Sequence, residues 1–238
     1  MLRLRGQQMV LVRPREALIF DVDGVLVDTV ESFHAAVVET VRRLGGWKPT
    51  VEEIMRLKEA GGFNDDVDVA VELLRQRGVV VAPKQVESLF LEIYEGDPKG
   101  TGTARKERPL VERRTLEVLN FHFPLAIFTG RLRRHLVSAA NRFGFHGFFK
   151  VWVCLEDTPQ GKRKPHPFGL LLALARLGLT KGAYVGDIPD DMRCAKASGL
   201  TAIGVVPPYA GNSRKKALLD AGADVVVDSV NRLPQILL

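Results

Sequence analysis

Ala17-Leu-Ile-Phe20-Asp21-Val22-Asp23-Gly24-Val-Leu-Val-Asp28-Thr29 is the stretch that decides how this chain folds. Residues 17–20 are apolar without a polar interruption and too short a run for a helix, which reads as a strand buried on both faces. The run stops at two carboxylates separated by one residue, and Gly24 permits a sharp turn after them. Two aspartates at the open end of a buried strand repel each other and need a cation, a proton or an anchoring network. A single aspartate capping the next turn is common; a pair is poorly explained that way.

The same kind of run recurs at residues 125–128, 151–154, 183–185, 201–206 and 224–227. Helical stretches lie between them at 131–143, 167–177, 190–198 and 212–221, with Gly144, Gly178, Gly199 and Gly222 at or near their ends. Strand–helix alternation of this kind predicts an α/β protein with a doubly wound, mainly parallel, Rossmann-like sheet. One interval breaks the rhythm, since about a hundred residues separate the first strand from the second. Within it Phe33, Val37, Val41 and Leu44 make one helix face, and further helices read at 51–58, 66–77 and 83–94. Residues 95–109 are linker by composition. The chain thus divides into a core of residues 1–28 and 109–238 and a small helical cap of residues 29–108. Ligands bind at the carboxyl ends of strands in such sheets, so an insert after the first strand covers the site.

The chain has 238 residues, 46% hydrophobic and 26% charged, which excludes a disordered or fibrous protein. No apolar run approaches the roughly 20 residues of a membrane span. The basic start is followed by Arg13, Pro14 and Arg15 rather than a small-residue cleavage site, so no signal peptide and a cytoplasmic location are expected. The net charge of +6 is spread out: residues 29–108 hold 12 Lys and Arg against 14 Asp and Glu, and the remainder 22 against 14. No basic stripe carries interleaved aromatics, so nucleic acid is not expected as a partner. Cys154 and Cys194 are too few for a disulfide framework and read as reduced and structural.

Three more features stand at strand ends. Phe128-Thr129-Gly130-Arg131 offers a hydroxyl and a backbone N–H for a phosphate, although Thr129 also reads as a helix N-cap. Gly161-Lys-Arg-Lys164-Pro holds Lys164 in an extended segment before a helix, where a basic run is otherwise a solvated surface. Gly186-Asp187-Ile-Pro-Asp190-Asp191 puts three acids in five residues, of which capping explains one. All four features converge at one edge of one sheet. An oxygen-rich acidic cluster without His or Cys ligands favours a hard cation, Mg2+ above all.

Asp21-Val-Asp23-Gly, Thr129-Gly-Arg, Lys164-Pro and Gly186-Asp187-x-x-x-Asp191, in this order, resemble the four motifs of the haloacid dehalogenase (HAD) superfamily hydrolases. The helical insert is similar in placement and size to the cap of subfamily I, the group that includes the phosphoglycolate phosphatases. The segment Gly61-Gly-Phe-Asn64-Asp65-Asp66 resembles a little-characterised branch of that subfamily. The resemblance implies a Mg2+-dependent phosphatase of a small phosphorylated metabolite, acting through an aspartyl-phosphate, as a monomer or homodimer.

In that scheme Asp21 is the nucleophile, and Mg2+ sits on Asp21, Asp187 and the backbone carbonyl of Asp23, with Asp191 orienting them. Asp23 protonates the leaving oxygen and then deprotonates water. Thr129, the Gly130 N–H and Lys164 hold the transferring oxygens. Asp23 also separates phosphoryl transfer from dehalogenation, because carbon–halogen cleavage needs no protonated leaving oxygen. Asn64, on a loop of the cap, and Arg131 are candidates for substrate binding, although Asn64 or Asp65 also reads as a helix cap. Two further readings stand beside the phosphatase. One is a phosphomutase of the β-phosphoglucomutase type, which shares Asp21 and Asp23; the other is a binding module that kept the fold and lost turnover.

Overall fold

The computed structural model describes residues 12–13, 15–97, 100–211 and 213–238. The basic start from which no signal peptide is expected lies, over residues 1–11, outside them. In chain order the elements are β1 (Ala17–Phe20), β2 (Val27–Asp28), α1 (Ala35–Gly45), α2 (Val51–Ala60), α3 (Asp66–Gln76), α4 (Pro83–Glu95), β3 (Arg108–Pro109), α5 (Arg113–His122), β4 (Leu125–Phe128), α6 (Arg133–Phe143), β5 (Val151–Val153), α7 (Phe168–Leu177), β6 (Gly182–Gly186), α8 (Pro189–Ala197), β7 (Thr201–Val205), α9 (Ser213–Asp220), β8 (Val225–Val227) and α10 (Leu233–Leu237).

Six strands form one sheet in the order β5-β4-β1-β6-β7-β8, and every pairing is parallel. Alternate residues of β1 serve opposite faces. Leu18 and Phe20 pack with Leu116 and Leu119 of α5, Leu136 of α6 and Leu233 of α10. Ala17 and Ile19 pack with Leu170 and Leu174 of α7, Met192 of α8 and Leu218 of α9. Both faces are therefore covered, which is why the strands are uninterrupted apolar runs. The mainly parallel doubly wound sheet is as the sequence predicts.

The helices α1 to α4 enclose an apolar cluster of their own, centred on Val37, Val41, Ile54, Leu73, Leu74 and Phe90. Phe33, Phe90 and Tyr94 stack in it, with Phe33 and Tyr94 centroids 4.2 Å apart at 8°. The chain leaves the sheet through β2 and returns through β3, and these two pair antiparallel, Val27 with Pro109 and Asp28 with Arg108. No helix among the described residues is long and apolar enough to cross a membrane.

Two details depart from the sequence reading. Residues Val30–His34 form one turn of π-helix before α1, and it buries Ser32, Phe33 and His34 in succession. Such turns are frequent at functional sites. Helix α5 has no counterpart in that reading, because its buried stripe is only Thr115, Leu116 and Leu119 among charged residues.

Candidate active site

The carboxyl ends of β4, β1 and β6 lie side by side. The Asp21 N–H continues the ladder to Val185 O at 2.8 Å, and the Thr129 N–H donates to Val153 O at 3.0 Å. The strands thus deliver Asp21, Thr129 and Asp187 to one edge. Gly24 turns the chain there with φ +73°, and a Cβ at that position would fall inside the Asp187 carboxylate. Only glycine allows both the left-handed turn and that approach.

One cavity is lined by Asp21, Asp23, Asn64, Thr129, Gly130, Arg131, Lys164 and Asp187. The structure therefore brings every candidate residue to the cavity lining except Asp191, which is fully buried yet in contact with Lys164. Lys164 ties the group together. Its Nζ is 3.0 Å from Asp21 Oδ2 and 2.9 Å from Asp191 Oδ1. Asp191 Oδ2 accepts from the Asp187 and Ile188 N–H groups at 3.0 and 3.2 Å, and the Tyr184 hydroxyl reaches Asp191 Oδ1 at 3.3 Å. Both Asp191 oxygens are engaged, which fits a supporting residue.

The three acids in five residues do not share one counter-ion. Asp191 has Lys164. Asp190 accepts from the Gly62 N–H at 2.8 Å and pairs with Arg193 at 2.9 Å. Asp187 faces Arg214, whose Nη1 donates to the Asp187 carbonyl at 2.6 Å and lies 3.4 Å from its Oδ2. Arg214 also reaches Glu59 of α2 at 3.1 Å.

Burial raises the proton affinity of Asp21 and Asp187, two of the carboxylates that face the cavity. Asp21 is pushed up to about 7, with Lys164 opposing the shift, and Asp187 up to about 8, with Arg214 opposing it. Asp21 Oδ1 is buried without a partner among the described residues. Oxygens of Asp21, Asp187 and Asp191 lie within 4.8 Å of one another. A set made only of carboxylate oxygens at this spacing fits a hard divalent cation.

The remaining candidates are placed as follows. Thr129 does not cap α6, whose N-cap is Leu132; its Oγ accepts from the Arg131 N–H at 3.2 Å. Arg131 is buried, with Nε donating to Asp23 Oδ1 at 2.7 Å and Nη1 3.0 Å from Glu107. Asp65, not Asn64, caps α3 by accepting from the Val67 N–H at 2.9 Å. The Asn64 amide instead rests against Gly130. The site also holds His34, Lys58, Tyr209 and Arg214, which sequence reasoning misses. Lys58 is the nearest to a legible signal, since it precedes the Gly61-Gly62 loop by one turn.

Residues 18–205 match the family described as haloacid dehalogenase-like hydrolase. The chain is 32% identical over 234 residues to a protein of Phytophthora nicotianae named imidazoleglycerol-phosphate dehydratase. That match takes in 91% of this chain and 51% of the relative, so the chain spans about half its length. It is 28% identical over 215 residues to a phosphorylated carbohydrates phosphatase of Thermotoga maritima, covering 89% of this chain and 94% of that one. It is 26% identical over 229 residues to a phosphoglycolate phosphatase of Vibrio cholerae, covering 93% and 96%.

Proposed function

This chain belongs to the haloacid dehalogenase-like hydrolase family and is a phosphatase, and from that premise we propose that it hydrolyses the phosphomonoester of a small metabolite with Mg2+, through an aspartyl-phosphate on Asp21. The observation that carries the reading is the state of the Asp21 carboxylate. Its Oδ2 is held by Lys164, and its Oδ1 is buried on the cavity wall without a partner among the described residues. An oriented carboxylate oxygen with an uncommitted lone pair is what in-line attack on phosphorus requires.

Asp21 Oδ1 forms the bond to phosphorus while the bond to the leaving oxygen breaks, and Asp23 gives that oxygen a proton. Asp23 Oδ1 is engaged by Arg131, so Oδ2 is the oxygen that transfers it. Water then attacks the aspartyl-phosphate, Asp23 takes its proton, and phosphate leaves with Asp21 restored. Lys164 neutralises one of the charges that repel the incoming phosphoryl dianion. The Thr129 hydroxyl, which only accepts from the Arg131 N–H, keeps its own proton for a phosphoryl oxygen, beside the Gly130 N–H. Bound by Asp21, Asp187 and the Asp23 carbonyl, Mg2+ would supply Lewis-acid neutralisation of the same charge. In this reading residues 29–108 are the cap that selects the substrate.

The test is phosphate release from a panel of phosphorylated metabolites, with Mg2+ and with EDTA, for the native chain and Asp21→Asn. Mg2+-dependent release, lost in the variant while its melting curve is kept, is expected, together with a phosphoryl adduct on the Asp21 peptide after quenching. Native activity in Asp21→Asn overturns the assignment. Isomerised product without free phosphate favours the phosphomutase.

A further inference from the structure

Beyond the carboxylates the cavity continues along a wall built by the helical insert, and the charges of that wall limit what it accepts. Outside Asp21, Asp23, Asp187 and Lys164, the lining carries four carboxylates, Asp65, Asp66, Asp68 and Glu87, against three cations, Lys58, Arg131 and Arg163. Each cation is already matched. Lys58 pairs with Asp66 at 3.0 Å, Arg163 with Asp65 at 3.2 Å, and Arg131 with Asp23 and Glu107. Asp68 and Glu87 also line the cavity, at its solvent-exposed rim, with no ion pair of their own among the described residues. A leaving group bearing a carboxylate or a second phosphate meets net negative charge there and no free counter-ion.

What the wall does offer is neutral hydrogen-bonding capacity. His34 is 3% exposed, and its Nδ1 is buried without a partner among the described residues. The Tyr209 ring meets it edge-on, with centroids 5.9 Å apart. Burial, reinforced by Lys58, pushes the imidazole down to about 3, and burial pushes the Tyr209 phenol well above its usual range, so both are uncharged at working pH. A neutral imidazole and a phenol both donate and accept, as an alcohol does, whereas a carboxylate only accepts.

We propose that the leaving group taken by this pocket is hydroxyl-bearing and carries no negative charge of its own, as in a polyol or sugar phosphate, and that it is recognised at His34 and Tyr209. The inference rests on the phosphatase reading above and narrows it: a phosphoglycolate-type ester is disfavoured by the charges of the wall.

The experiment compares kcat/KM for phosphate release within two matched pairs, with p-nitrophenyl phosphate as a probe of the chemistry alone. The pairs are 2-hydroxyethyl phosphate with phosphoglycolate, and glycerol 1-phosphate with 3-phosphoglycerate. The hydroxyl member of each pair is expected to lead by about tenfold or more, the effect of one like charge at close range in a site of intermediate polarity. Asp68→Asn should narrow the gap severalfold by raising the rate on the carboxylate member. Asp66→Asn, which frees Lys58, should narrow it further; Asp68, away from any ion pair, keeps the test open if that variant does not fold. Equal rates within the pairs, a lead for the carboxylate members, or a gap unmoved by Asp68→Asn overturns the inference. Turnover of p-nitrophenyl phosphate in that case leaves the phosphatase reading standing, whereas release from no ester at all overturns both.

Discussion

Arg131 grips Asp23: the fully buried guanidinium donates through Nε to Asp23 Oδ1 at 2.7 Å, and the same side chain faces Glu107 at 3.0 Å. Glu107 in turn accepts from the Tyr94 hydroxyl of α4 at 2.8 Å and from Arg142 of α6 at 2.7 Å. The proposed proton donor is therefore fixed by a chain of charges that reaches α4 and stands next to the β2–β3 ribbon.

Arg131→Met should release Asp23 and expose the cost of misplacing a proton donor. On alkyl phosphates, whose leaving oxygen needs the proton, kcat is expected to fall on the order of 10²-fold, the usual range of general-acid assistance. On p-nitrophenyl phosphate, whose phenolate leaves unassisted, the fall should be under about tenfold. Removing one partner of a buried pair also costs about 3–5 kcal/mol of stability, so the comparison is made at a temperature where the variant is folded. Equal losses on both ester types would refute a role through Asp23.

The pH dependence of stability follows from two opposite shifts. Asp21 and Asp187 are raised by burial to about 7 and about 8, so their contribution is full at acid pH and is lost as pH rises through those values. His34 is lowered to about 3 from an ordinary 6.5, so its contribution is full above that ordinary value and is lost as pH falls toward 3. Above about pH 6.5 only the aspartates still act. The melting temperature of the metal-free protein should therefore decline between about pH 6.5 and 9. Mg2+ stands in for the protons and should remove that decline. At about 100 times its Kd it adds about 2.7 kcal/mol, or about 5–10 °C for a chain of this length. Calorimetry with EDTA and with Mg2+ checks both; a melting temperature that rises with pH in EDTA contradicts the assignment.

Gly24→Ala tests whether Asp187 is a metal ligand. The turn at φ +73° costs alanine about 1–2 kcal/mol, and the new methyl displaces the Asp187 carboxylate. Mg2+ affinity should drop by about 10–100-fold, as when a partner that orients a ligand is lost. Titration calorimetry on the folded variant reads it, and unchanged affinity removes Asp187 from the metal set.

What the sequence makes legible here is local. Asp21, Thr129 and Asp187 each follow a short apolar run directly, so strand periodicity alone carries them to one edge of the sheet, whereas Lys164 is marked only by the proline that follows it, in the segment before α7. What it hides is held by long-range contact. Arg214 opens Arg214-Lys215-Lys216, which reads as solvated helix surface, yet Arg214 is fully buried between Asp187 and Glu59, while the two lysines are exposed. His34 looks like one more residue of an amphipathic helix, until the π turn of Val30–His34 buries it beside Phe33 on the cavity wall. The acids 187, 190 and 191 read in sequence as one unpaired cluster because their partners, Arg214, Arg193 and Lys164, are distant or unremarkable there.

Asn64 is the position where a bland and a functional role can be separated most cleanly. Capping of α3 is already supplied by Asp65, so Asn64→Ala should change stability by no more than about 0.5 kcal/mol. Its amide lies against Gly130, next to the N–H and hydroxyl expected to hold the phosphoryl group. Losing that contact should raise KM on the best substrate by about tenfold, the equivalent of one hydrogen bond to a charged group. Asn64→Asp keeps the shape but sets a carboxylate where the phosphoryl oxygens arrive. Its loss in kcat/KM should exceed that of the alanine variant by a further tenfold or so, through like-charge repulsion. If aspartate is tolerated as well as asparagine, the loop does not reach the phosphoryl group, and the insert selects substrates through its outer wall alone.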